Sequence, residues 1–234
     1  MNEIKEFSFS NISLRDLKSI VDIEKQYDLS VFKIWFQDRE IGKSDLEFLE
    51  NHNKRFGENM TSFFRNVSRE TIQAKVIVPI LNQVNFYNFE SKISDFYSEN
   101  IQYFDDEFIL KGVCDFIVGT GLIRVQTPYF FIQEFKKTQG SNPEPQLIAE
   151  MISGLEISKF EKIRGAFIIG SIWNFVILWK ENGIYKYVIS QNFDVTKFED
   201  LKKIFQNLLF VKNEILDLVK TEKILKERIL YGKR

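Results

Sequence analysis

The chain of 234 residues has one cysteine, one histidine and four prolines, and its 32 basic and 33 acidic residues leave a formal charge of −1. A single cysteine excludes an internal disulfide framework. One Cys and one His cannot supply the four ligands of a structural zinc site. Histidine-centred nucleases, Cys-His hydrolases and His-ligated metal sites are not expected either, on the ground of where the one histidine lies. His52 stands in the polar, helix-like run Glu50-Asn51-His52-Asn53-Lys54 and is expected at the surface. No apolar run approaches the roughly 20 residues of a membrane span, and no charged-then-apolar leader opens the sequence, so no membrane partner is expected and the cytoplasm is the expected setting. Balanced charge gives no global signature of nucleic-acid binding, so any such surface must be a local patch. No internal repeat or low-complexity segment is present.

Hydrophobic residues make up 44% of the chain, enough for a sizeable core in one domain or one domain with an extension. The spacing predicts a helix over 13–27, a short strand over 31–36, and a second helix over 44–55 opened by a Ser44-Asp45-Leu46-Glu47 capping box. Ser68 caps a helix to about Leu81 that Pro79 should bend or end. A weakly marked strand falls around 86–98. Aromatic and β-branched residues then predict strands over 108–118 and 129–135, with Gly119-Thr120-Gly121 turning between them. Pro143 starts a helix to about Ile157. Strands follow at 166–170, 175–180 and 185–190, the last two as a hairpin across Glu181-Asn182-Gly183. From Thr196 a long helix carries an apolar seam from Leu201 through Leu218 and Leu225 to Ile229, interrupted by Glu222. The expected fold class is α/β: a central mixed β-sheet flanked by helices, with a helical N-terminal extension (1–66), a core (67–195) and a long C-terminal helix (196–234).

The chemistry concentrates between Lys111 and Gly154. Residues two apart in a strand share a face, so Glu134 and Lys136 project together, with Phe130 and Ile132 on the same half-buried side. An acid and an amine are costly there unless something uses them. Cys114 adjoins Asp115 on the opposite strand face and is expected to be a small core residue. Two carboxylates about 4 Å apart repel by roughly 4 kcal/mol at an effective dielectric near 20. A divalent cation beside an ammonium reverses that balance. The pair is therefore expected to titrate together, with metal affinity falling as pH drops.

A helix with Glu70, a strand with Gly112-x-x-Asp115-Phe116, a strand with Glu134-x-Lys136 and a helix with Gln146-Leu147 follow one another in that order. This order resembles the PD-(D/E)XK nuclease superfamily, and looks closest to the N-terminal nuclease domains of type I restriction enzyme motor subunits and their stand-alone relatives. The run from Glu70 to Pro79-Ile80-Leu81 is similar to that family's opening helix. The likeness covers roughly residues 68–190. It implies a restriction-endonuclease-like core in which Asp115 and Glu134 ligate Mg²⁺ or Mn²⁺, with the carbonyl of Phe135 as a further ligand. Glu70 would contribute directly or through a water. Lys136 would orient the attacking water or stabilise developing phosphorane charge, and Gln146 would tune the site or touch the substrate backbone. The implied reaction is endonucleolytic or exonucleolytic hydrolysis of nucleic acid, DNA before RNA, leaving a 5′-phosphate, in a setting such as restriction of foreign DNA. Two departures stand out. The Asp115 to Glu134 spacing is long for a tight hairpin, so 122–127 needs its own excursion. No Gly-x-x-x-x-Gly-Lys-Ser/Thr loop is present, so no ATP motor is attached.

Each residue also has a plainer account. Acid-x-lysine recurs at Glu3-Lys5, Asp16-Lys18, Glu90-Lys92 and Asp200-Lys202 on solvated faces. Glu70 beside Ser68 favours the positive end of its helix in any case. Glu150, one turn beyond Gln146 on the same side, could join the site but is expected in solvent, and Lys137 on the face opposite Lys136. Trp173 and Trp179 are expected in the core. The end of the terminal helix could dock on a second copy or a partner protein, while its basic residues (Lys223, Lys226, Arg228, Lys233, Arg234) are diluted by Glu222 and Glu227. Against the nuclease stands a nuclease-like fold kept as a nucleic-acid- or protein-binding module without turnover.

Overall fold

A computed structural model describes residues 4–136 and 142–231. In chain order the elements are β1 (Lys5–Ser8), α1 (Leu14–Ile20), β2 (Ile23–Gln26), α2 (Lys43–Phe56), α3 (Thr61–Asn66), α4 (Arg69–Ile72), a π-helical turn (Gln73–Ile77) and α5 (Val78–Val84). There follow β3 (Ile93–Phe104), β4 (Phe108–Thr120), β5 (Gln126–Lys136), α6 (Glu144–Ser158), β6 (Lys162–Ile169), β7 (Ile172–Glu181), β8 (Ile184–Ile189), β9 (Phe193–Asp194) and α7 (Phe198–Tyr231). The expected α/β class is the observed one: a mixed nine-stranded sheet with helices on both faces and a long C-terminal helix.

The sheet runs β1-β4-β5-β6-β7-β8-β2, with β3 on β4 and β9 on β7. β5 and β6 are parallel and joined through α6, whereas β6, β7 and β8 are successive antiparallel hairpins. The β7–β8 turn needs two left-handed residues, which Asn182 and Gly183 supply. The excursion required between Asp115 and Glu134 is a long β4–β5 hairpin whose register slips on either side of Gly119.

The N-terminal residues depart from a purely helical extension. The expected helix over 13–27 ends at Ile20, after a Ser13–Asp16 capping box, and Ile23–Gln26 becomes a strand beside β8. Lys5–Ser8 pairs in parallel with β4. Both strands are four residues long, carry charges, and find partners far along the chain, so they lack a local hydrophobic signature. Residues 31–36 form no strand: Leu29–Phe32 is a 3-10 turn that buries Phe32, and Trp35 behind it is fully buried. α2 starts from Gly42 with no side-chain cap, so Ser44 lies inside the helix rather than at its cap.

Two apolar layers cover the sheet. On one face α2, α5 and α7 pack an aromatic core of Trp35, Phe86, Phe116, Phe131, Trp173, Phe175 and Phe205. On the other, α6 and α1 pack Leu17, Ile132, Leu147, Met151, Ile152 and Leu178. α6 lies close on the strands: a Cβ at Gly154 would sit 2.7 Å from Ile132 Cδ1, and one at Gly165 would sit 2.8 Å from both the Ile132 carbonyl and Met151 Sδ. That approach brings the first turns of α6 against the end of β5. Among the described residues no helix is long and apolar enough to cross a membrane.

Candidate active site

β4 and β5 part where the acids lie. Their ladder ends at the Phe116–Gln133 pair, one step before Asp115 and Glu134 would pair. Instead the Phe135 amide donates to Asp115 Oδ2 at 2.9 Å, so a side chain replaces the ladder bond and the strand ends open. β3 covers one edge of β4 along its length. The other edge is divided between β1 at Phe108–Lys111 and β5 at Phe116–Thr120, so Asp115 lies in the gap between two partners. Gly112, in the same gap, is required by packing: a Cβ there would lie 2.8 Å from Phe9 Cδ2.

Glu134, Lys136, Gln146 and Glu150 form one connected chain of contacts. Lys136 Nζ lies 2.7 Å from Glu134 Oε1 and donates to Gln146 Oε1 at 2.8 Å. Gln146 Nε2 in turn donates to Glu150 Oε1 at 3.0 Å. Glu134 is 1% exposed and Glu150 is fully buried. Each keeps a second oxygen, Glu134 Oε2 and Glu150 Oε2, buried and without a hydrogen-bond partner. Burial, then the neighbouring Asp115 charge, pushes Glu134 up from an ordinary 4.5 to about 7, with Lys136 pulling the other way. Burial and the Glu134 charge push Glu150 well above the carboxylate range, against the opposing pull of the Gln146 hydrogen bond. Buried orphan carboxylate oxygens are costly in a native interior, and two of them side by side call for an explanation.

Asp115 is tied on its other side by Arg69, whose Nη2 donates to Asp115 Oδ2 and whose guanidinium lies 5.6 Å from the Phe135 ring centroid. Arg69 is the first residue of α4, capped by Ser68, whose hydroxyl accepts from the Thr71 amide. α4 leads into the π-helical turn, in which the Val78 amide donates to the Gln73 carbonyl five residues back. Pro79 is therefore accommodated at the start of α5 rather than bending a continuous helix.

The structure thus brings Asp115, Glu134, Lys136 and Gln146 together. Glu70 lies in the first turn of α4 with its side chain exposed, while Arg69 is the α4 residue bonded to Asp115. Phe135 engages Asp115 through its amide. Lys137 lies outside the described residues. Glu150, expected in solvent, is instead interior, because every residue of α6 from Pro145 to Leu155 is buried. Its signal was an acid inside the run Leu147-Ile148-Ala149-Glu150-Met151-Ile152. Arg69 was missed although a basic residue in the first turn opposes the helix dipole, itself a sign of another use. Phe130 leaves the Ile132 face and packs with Phe160 in the aromatic layer, just past the register slip. His52 is 6% exposed, stacked on Phe48 and tilted against Phe56, and burial lowers its pKa to about 4. Cys114 is a buried core residue, with its thiol beside Glu150, and Trp173 is fully buried.

Among the described residues no group of three or more His, Cys, Asp or Glu side chains is gathered to hold a metal ion. The carboxylates are turned to Arg69 and Lys136 instead. The donor chemistry nonetheless suits a hard divalent cation: oxygen ligands from two acids, one of them with an unbonded oxygen, next to the Lys136 ammonium. No protein-family model matches this chain, and no curated protein matches it.

Proposed function

We propose that the chain is a metal-dependent phosphodiesterase that cleaves nucleic acid, DNA by preference. The observation that carries this reading is the opening of the β4–β5 ladder at Asp115 and Glu134, with Lys136 set against Glu134 at 2.7 Å. Asp115 and Glu134 are the residues that would hold Mg²⁺ or Mn²⁺, and the bound ion would supply an acidified water and charge neutralisation at phosphoryl oxygens. The chain's own contribution is positioning. Lys136, held by Gln146, directs an ammonium to where negative charge develops on the phosphoryl group. Glu134 is ionised above about pH 7 and then acts as an acceptor for a proton or cation. The apolar walls of α6 and β5 keep the inner end of the site dry, which strengthens each of these interactions.

Plasmid DNA incubated with Mg²⁺ or Mn²⁺ tests the reading. Wild type nicks it only with metal, and Lys136→Ala loses at least about a hundredfold of that rate. Absence of nicking under every metal condition would favour a second reading, a nuclease-like fold that binds without turnover. That alternative draws on the −1 net charge and on the pairing of both site cations with acids.

A cytoplasmic setting and a second copy or partner protein on α7 belong to the same proposal. α7 is 34 residues long, and Leu218 is 40% exposed beside a groove lined by Phe130, Phe160 and Ile215. The side chains of 222–231, and Lys233 and Arg234, lie outside the described residues.

A further inference from the structure

We infer that Arg69 is a built-in stand-in for the cation: it holds Asp115 Oδ2, and a divalent ion that takes this oxygen displaces it. The inference rests on the metal-dependent reading above and adds a regulatory step to it. Arg69 Nη2 and the Phe135 amide both donate to Asp115 Oδ2, so that oxygen has no further lone pair directed at a metal. The site's other carboxylate faces Lys136 through one oxygen and leaves the other unbonded. Of the two acids, Asp115 is thus the one whose Oδ2 a divalent ion would have to take from Arg69.

α4 has four residues and is followed by a π-helical turn, a rare form found mostly as single turns within α-helices and often at functional sites. The Arg69 side chain is 34% exposed and its guanidinium rests near the Phe135 ring. Its Nε is buried without a partner while the rest of the side chain borders water, so the Asp115 contact leaves the guanidinium incompletely satisfied. Once displaced, a guanidinium at the mouth of the site suits bidentate contact with a phosphodiester oxygen pair. Arg69 therefore competes with the metal in the free chain and assists substrate binding in the loaded one.

Calorimetric titration of Mn²⁺ into the full chain at pH 8 separates these statements. Arg69→Met, which keeps the aliphatic stem over Phe135, and Arg69→Ala should both bind Mn²⁺ about tenfold more tightly than wild type, because no internal cation has to be displaced. Arg65→Ala, which removes an exposed charge in the last turn of α3, should stay within about twofold. Millimolar guanidinium should weaken Mn²⁺ binding to Arg69→Ala and leave wild type unchanged. In plasmid cleavage the Arg69 variants should show a raised KM. Wild-type or weaker Mn²⁺ affinity in both variants, with Mn²⁺ binding intact, overturns the stand-in role alone. No Mn²⁺ binding by any variant overturns the metal-dependent reading and this inference with it. Thermal melts of Arg69→Met confirm that the folded chain is being compared.

Discussion

On the α7 face of the sheet, Arg164 is 8% exposed, yet none of its nitrogens is among the buried orphans. Two donors reach Glu214 at 2.5 and 2.7 Å, and the group lies 4.6 Å from the Trp35 ring centroid. On the α6 face, Glu134 and Glu150 are at least as deeply buried and each retains an orphan oxygen. Both clusters place charge inside one sheet, but only one is complete within the chain. A satisfied buried pair secures a packing arrangement, whereas an unsatisfied one stores electrostatic energy that a ligand can release. The α7 side also has buried orphans, Trp173 Nε1 and the Asn207 amide, but these are neutral; the site proposed on the α6 side rests on its orphans being carboxylate oxygens.

The comparison can be broken most directly by neutralising Glu134. Its folded pKa is raised from 4.5 to about 7, so its contribution to stability is full below pH 4.5 and is lost as pH rises through 7. Wild type should lose about 3 kcal/mol over that window, and Glu134→Gln should lack the loss, leaving it more stable at pH 8 by a similar amount. Urea melts at pH 5 and pH 8 measure this. A variant less stable than wild type at pH 8 would mean that the buried acid is stabilising after all. The same variant should be inactive in metal-dependent cleavage, a trade of activity for stability expected of a strained site.

A smaller effect of opposite sign is expected on the other face. Glu214→Ala leaves the Arg164 guanidinium buried and unpaired, but Glu214 is 39% exposed, so water can enter. The expected cost is about 2 kcal/mol, below the range for a fully buried pair, with metal-dependent cleavage per folded molecule unchanged. Loss of cleavage together with stability would show that the two faces are not independent.

How much of this was legible in the sequence follows from range. β4, β5 and α6 announce themselves through aromatic, β-branched and proline signals within a few residues, and Asp115, Glu134, Lys136 and Gln146 fall on them in a recognisable order. Illegible were features decided by distant partners. β1 and β2 are charged four-residue strands that exist only because β4 and β8 offer edges. His52 sits among polar neighbours in sequence, yet Phe48 and Phe56, four residues to either side, bury it on one helical face. Glu150 and Gln146 share a helix face whose burial the sequence marks only by the apolar run around Glu150. The glycines at 154 and 165, by letting α6 lie close on β5 and β6, decide it.

The central claim is that Asp115 and Glu134 form one cation site whose occupancy competes with protons. Isothermal titration of Mn²⁺ at pH 6 and pH 8 tests it most directly. Binding should be several-fold tighter at pH 8, where Glu134 is ionised, and should vanish in Glu134→Gln. Equal affinity at the two pH values, or binding that survives the substitution, would contradict it.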